Sequence, residues 1–133
     1  MSNNFMTPKV IKYYNEIKLE NGNYKLIGYL DRKKTIIDFI QYYDSNNKMH
    51  NDNGISYISY FENGNINCIN YECHGKFYRL DGPAVITYYE SGEIDCEKYY
   101  INDIGYFKEE YYKQPEVIKF ININRNLKLL NKK

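Results

Sequence analysis

The chain has 133 residues, the size of a single domain, and its 18 basic and 17 acidic side chains leave a formal net charge of +1. With no long run of either sign, it lacks the basic footprint that phosphate binding leaves, so no nucleic-acid partner is expected. Three cysteines, an odd number, fit a reducing compartment better than a disulfide scaffold. No apolar stretch approaches the roughly 20 residues of a bilayer span, and Met1-Ser2-Asn3-Asn4 does not open a leader, so a cytoplasmic protein without a membrane span is expected.

Seventeen residues are Tyr, none is Trp and Ala84 is the only alanine, a mixture poor in helix formers and rich in β-formers. In chain order, strands are expected over 9–19, 24–30, 35–43, 54–61, 66–72, 84–89, 94–100, 106–112 and 116–123, with at most one short helix in Asn124 to Leu130. Asn21-Gly22, Asn63-Gly64 and Ser91-Gly92 supply the positive φ of hairpin turns. Pro8, Pro83 and Pro115 stand at strand entrances, where a missing N–H costs least. These elements predict one all-β domain over 1–133, an antiparallel β-meander built from repeated hairpins.

The chain also repeats itself. Met49 to Lys76 and Phe77 to Ile104 align without a gap at a 28-residue period, which superposes Gly54 on Gly82, Ile58 on Ile86, Tyr60 on Tyr88, Gly64 on Gly92 and Cys68 on Cys96. Pro8 to Tyr14 and Pro115 to Ile121 read as further copies of Pro83 to Tyr89, and Glu20-Asn21-Gly22-Asn23 is identical to Glu62-Asn63-Gly64-Asn65. Alternation places Ile11, Ile58, Ile86 and Ile118 on one face with Tyr13, Tyr60, Tyr88 and Phe120, and this ladder is the expected buried side. The other face carries Tyr57 and Val85 among polar residues.

Leu80-Asp81-Gly82-Pro83-Ala84-Val85-Ile86-Thr87-Tyr88-Tyr89-Glu90-Ser91-Gly92, ending in Glu97-Lys98-Tyr99-Tyr100, resembles the degenerate MORN-like repeat abundant in large DNA viruses of amoebae and in bacterial MORN-variant proteins labelled as antitoxins. The resemblance is clearest over 77–104 and weaker over 49–76. It implies an elongated twisted antiparallel sheet with a binding or scaffolding role, host-directed and in the host cytoplasm if the source is viral. It supplies no catalytic residue.

Neither His50 nor His74 sits in a recognised catalytic or zinc motif, and Cys73-His74 with Cys68 lacks the paired ligand spacing of structural zinc. Cys68 and Cys96 share a repeat position held by Leu26 and Phe39 in other copies, which predicts buried thiols that are neighbours yet too far apart to pair. Asp38, Asp95 and Glu97 are read as facing away from the ladder or lying hairpins apart, so no acid–base pair is expected. No catalytic residue, metal or cofactor is expected. Function then falls to an exposed aromatic face, Tyr57, Phe61, Tyr89 and Tyr99, as a site for another protein, with a second copy pairing by sheet edge or face left open. A small ligand or lipid held on the Tyr-rich face is the alternative.

Overall fold

The computed structural model describes residues 13–52 and 54–131. The expected copy at Pro8, Val10 and Ile11 lies outside the described residues, as do Lys132 and Lys133. Among the described residues, ten strands and two α-helices follow in order, with one 3-10 turn at Glu20–Gly22: β1 (Tyr14–Lys18), β2 (Tyr24–Tyr29), β3 (Ile37–Tyr43), β4 (Tyr57–Tyr60), β5 (Ile66–Asn70), β6 (Glu72–Cys73), β7 (Lys76–Phe77), β8 (Val85–Tyr88), β9 (Ile94–Ile101), β10 (Ile104–Tyr106), α1 (Lys108–Tyr111) and α2 (Pro115–Leu130). Eight strands make one antiparallel sheet in the order β1-β2-β3-β4-β5-β8-β9-β10, and β6 and β7 form a small hairpin between β5 and β8. The fold is the antiparallel meander that the hairpin turns predict, closed by a C-terminal helix.

One row of side chains organises the sheet. Ile27 pairs with Ile40, Ile40 with Ile58, Ile58 with Ile69 and Ile69 with Ile86, so isoleucine occupies the same row on five adjacent strands. Asn15 ends the row at β1 and Glu97 ends it at β9. β-branched side chains fit the pleat, and each such cross-strand pair contributes about 0.2–1 kcal/mol. Glu97 therefore lies in the ladder row, not turned away from it, because the β8–β9 register sets it opposite Ile86.

The repeat is visible in the backbone. Ser56 N–H donates to Asn70 O and, 28 residues on, Ala84 N–H donates to Lys98 O, both at 2.9 Å. Ser56 and Ala84 are each fully buried, and both side chains at this position are small. Gly64 (φ 89°) and Gly92 (φ 95°) take the positive φ of the two equivalent turns. Gly28 serves a different end: an added Cβ there would overlap the Phe39 ring, which lies across it from β3.

The last two expected strands are corrected. Strand structure ends at Tyr106, where 106–112 was expected to continue it, and Lys108–Tyr111 is helical. The third copy, expected as a strand over 116–123, is instead the first half of α2. Pro115 takes the first helical turn, where its missing N–H is unneeded, and Glu116 lies at the positive end of the helix dipole. Lys119 stands where the strand copy has Thr87 and is the better helix former, and no glycine follows Gly105 to turn the chain back. In the helix Val117 becomes the buried residue and Ile118 is exposed, the reverse of the strand reading.

The helices cover the ladder face at one end. Tyr99 and Ile101 of β9 pack with Tyr111 and Val117, flanked by Tyr78, Leu80, Tyr106 and Ile121. Tyr111 pins this cluster to the chain: its hydroxyl donates to Arg79 O at 2.6 Å and accepts from Gly82 N–H at 3.3 Å. Burial, before any other cause, pushes both Tyr99 and Tyr111 up to about 12.

Tyr111→Phe keeps the ring but leaves the Arg79 carbonyl and Gly82 amide without this partner, so urea unfolding should show a loss of about 1–3 kcal/mol. An unchanged midpoint would place the clamp elsewhere. The two raised tyrosines hold their protons longer in the folded chain than in the unfolded one, whose tyrosines titrate near 10.0. Their stabilisation is complete below about pH 10 and is lost as pH rises toward about 12, so stability followed by circular dichroism should fall over that window.

Candidate functional site

The four aromatic residues expected on one exposed face are divided. Tyr57 is half-buried, stacked on Phe39 with ring centroids 6.5 Å apart. Phe61 is half-buried at the β4–β5 turn, and Tyr89 is 54% exposed at the equivalent turn, its hydroxyl bonded to Asp95. Tyr99 is corrected: it is 6% exposed, within the core. The row Tyr57, Asn70, Val85, Lys98 shows why, since Lys98 holds the Tyr57 face of β9 and the next residue turns the other way.

Exposed apolar surface lies at both ends of the sheet: Tyr14, Ile17 and Leu19 are exposed at the β1 end, and the most exposed apolar residues lie at the C-terminal end. Phe107, directly after the edge strand β10, is 84% exposed, and Ile104 on that strand is 58% exposed. A groove of about 530 Å³ beside them is lined by Tyr99, Tyr100, Tyr106 and Phe107 together with the charged Glu97 and Lys98. On α2, Ile123, Leu127 and Leu130 follow one another at three- and four-residue spacing and are all exposed.

A second feature is built by β6 and β7. This hairpin is strapped to the segment before β4: Asn51 N–H donates to Glu72 O at 3.2 Å and Gly75 N–H to Met49 O at 2.8 Å. The strap brings His50 against Cys73 and His74. The two imidazoles stack with centroids 3.9 Å apart, and the His74 backbone N–H donates to His50 Nδ1 at 3.0 Å. His50 Nε2 lies 2.8 Å from Asp52 Oδ1, and His74 Nδ1 lies 2.7 Å from Asp44 Oδ2. Asp44 is buried at the start of a tight loop, where burial pushes its carboxyl up but the bonds from His74 and from the Lys48 and Asn46 amides outweigh it, leaving it below the usual range. Burial first, then Asp52 and Asp44, push the Cys73 thiol up.

Beside this cluster lies a cleft of about 460 Å³ lined by Asp52, Tyr71, Glu72, Cys73, Arg79 and Phe120 among others. The Arg79 guanidinium sits 3.9 Å over the Tyr71 ring and pairs with Asp81 at 2.9 Å. Burial pushes the Glu72 carboxyl up, against a bond from the Ser56 hydroxyl.

The cysteines sort differently from the sequence reading. Cys68 and Cys96 both pair with Thr87, so one strand separates them, as the repeat requires, and both are free thiols. Phe39 shares their row, whereas Leu26 stands two rows along, opposite Gln41. Cys68 is half-buried but Cys96 is exposed, because the helices cover the opposite face of β9. The grouping of Cys73-His74 with Cys68 gives way to one with His50, which sequence spacing did not suggest.

Comparison with protein-family models, curated proteins and solved structures returned no significant match to this chain. Function is therefore argued from its own residues.

Native protein treated with iodoacetamide should show one fast thiol, Cys96, and two slow ones, since burial pushes the Cys68 and Cys73 thiols up. Peptide maps that show Cys68 reacting as fast as Cys96 would contradict this placement.

Proposed function

We propose that this chain is a non-enzymatic, MORN-like hairpin-repeat protein that holds another protein at the C-terminal end of its sheet, in a reducing, cytoplasmic setting. The observation that carries the reading is Phe107, an aromatic ring 84% exposed beside an edge strand and an aromatic groove. A large apolar ring left in water at the rim of a groove is the arrangement of a binding anchor, and aromatic anchors dominate interface energetics. β10, at the end of the strand order, offers its outer edge for main-chain pairing with an extended segment. The exposed α2 residues Ile123, Leu127 and Leu130 extend the apolar surface.

The cleft beside Arg79 supports a second reading, a small ligand with a planar or anionic group. Its volume of about 460 Å³ falls in the range of ligand sites, and Arg79 is already oriented by Tyr71 and Asp81. Native mass spectrometry of the purified chain would reveal such a ligand as retained mass.

A photoreactive residue in place of Phe107, introduced in the source cell, should cross-link to one discrete partner, whereas the same residue in place of Tyr14 on β1 should not. Ile104→Asp should abolish the cross-link while leaving the circular dichroism spectrum unchanged. Equal cross-linking from both ends of the sheet would sink this reading.

A further inference from the structure

The strap that carries His50, Cys73 and His74 occurs twice, and the second copy shows what the fold itself requires there. Arg79 N–H donates to Tyr100 O and Asp103 N–H to Phe77 O, which repeats, 28 residues on, the bonds from Asn51 to Glu72 and from Gly75 to Met49. His74 and Asn102 take the same left-handed φ of 48° at the equivalent turn. In this second copy the three positions are Tyr78, Ile101 and Asn102: two apolar packing residues and an ordinary turn residue. The hairpin therefore forms without imidazole or thiol. The copy at 49–76 instead has a metal-ligand residue at all three positions, and it brings one donor atom from each within 4.8 Å of the others.

We propose that His50, Cys73 and His74 bind a borderline-soft divalent transition-metal ion of the Zn²⁺ class. Two imidazole nitrogens and a thiolate make the donor set such ions prefer over Mg²⁺ or Ca²⁺. Each imidazole has one nitrogen on a carboxylate, His50 Nε2 on Asp52 and His74 Nδ1 on Asp44, which leaves His50 Nδ1 and His74 Nε2 as the ligand atoms. Carboxylates on the far nitrogens of metal-binding histidines fix the tautomer and raise ligand basicity. On binding, the ion takes the place of the His74 N–H on His50 Nδ1, the stacked rings turn apart, and Cys73 releases its thiol proton to solvent as the metal–sulfur bond forms. Three protein ligands leave a fourth position open to water.

A catalytic Cys–His pair is the competing reading of the same residues. A nucleophilic cysteine needs surroundings that lower its pKa, whereas burial and two carboxylates raise that of Cys73. A dication reverses that field. The site stands apart from the docking end, so either proposal can fail alone.

Titration of the reduced, metal-free chain with Co²⁺ tests the site. A thiolate-to-cobalt charge-transfer band should saturate at one ion per chain and be displaced by Zn²⁺. Cys73→Ser should remove the band. His50→Tyr and His74→Asn, which install the residue types of the second copy and so spare the fold, should each weaken binding at least tenfold. Asp44→Asn, which reaches the ion through His74 and keeps an oxygen for the Asn46 and Lys48 amides, should weaken it about ten- to a hundredfold. The double variant Cys68→Ser, Cys96→Ser should bind as the unmodified chain does. Absence of a charge-transfer band from the reduced chain overturns the proposal, as does a band that survives Cys73→Ser or unweakened binding in a folded His74→Asn variant.

Discussion

The isoleucine row across β2, β3, β4, β5 and β8 is the constraint from which the rest of the molecule follows. A slip of one residue in any pairing would send an isoleucine to the opposite face and break the row on both sides, so register is fixed strand by strand. The row stops at Asn15 and Glu97, and at the Glu97 end β9 continues into Tyr99 and Ile101 on the same face. There α1 and α2 provide the cover that the ladder obtains elsewhere from its own neighbours. The helices thus serve as the cap that repeat arrays need, and their outer apolar residues remain in water.

Turn chemistry works beneath this constraint and yields to it. Glu20-Asn21-Gly22-Asn23 and Glu62-Asn63-Gly64-Asn65 are the same tetrapeptide, yet they fold differently. In the first, Asn21 and Gly22 both take positive φ and Asn23 N–H donates to Glu20 O; in the second, Gly64 N–H donates to Phe61 O and only the glycine is left-handed. The two turns meet different neighbours: Gly22 lies against Ser45, whereas the second turn meets another hairpin turn. Asn63 and Asn65 both donate from their side chains to Glu90 O in the turn of the next hairpin, at 3.1 and 2.8 Å, so the turns stack as the strands do.

How much of this was legible in the sequence differs along the chain for physical reasons. The period of 28, the hairpin turns and the Ile58–Ile86 face were readable because a strand's alternation and a turn's glycine are local signals. Pro115 to Ile121 misled because an apolar run after proline suits a strand entrance and a first helical turn equally. What decides between them is the lack of a following glycine turn and the buried place that the Tyr99 cluster offers Val117. Tyr99 parts from the Tyr57 face because Lys98 occupies the Tyr57 row and sends Tyr99 inward.

The His50, Cys73 and His74 cluster escaped notice because its members sit on two separated segments and match no ligand spacing. The signal that would have found it was present in the alignment of the two copies. A repeat is an internal control: where both copies keep a residue, or exchange it for one of like size, the fold accounts for it, as with Ser56 and Ala84. Where one copy has histidine, cysteine and histidine in place of tyrosine, isoleucine and asparagine on a hairpin and strap whose backbone bonds are the same in both copies, the fold has no need of the change. This hairpin thus departs from its repeat in composition while preserving its backbone, which is how a scaffold acquires a site without a new fold.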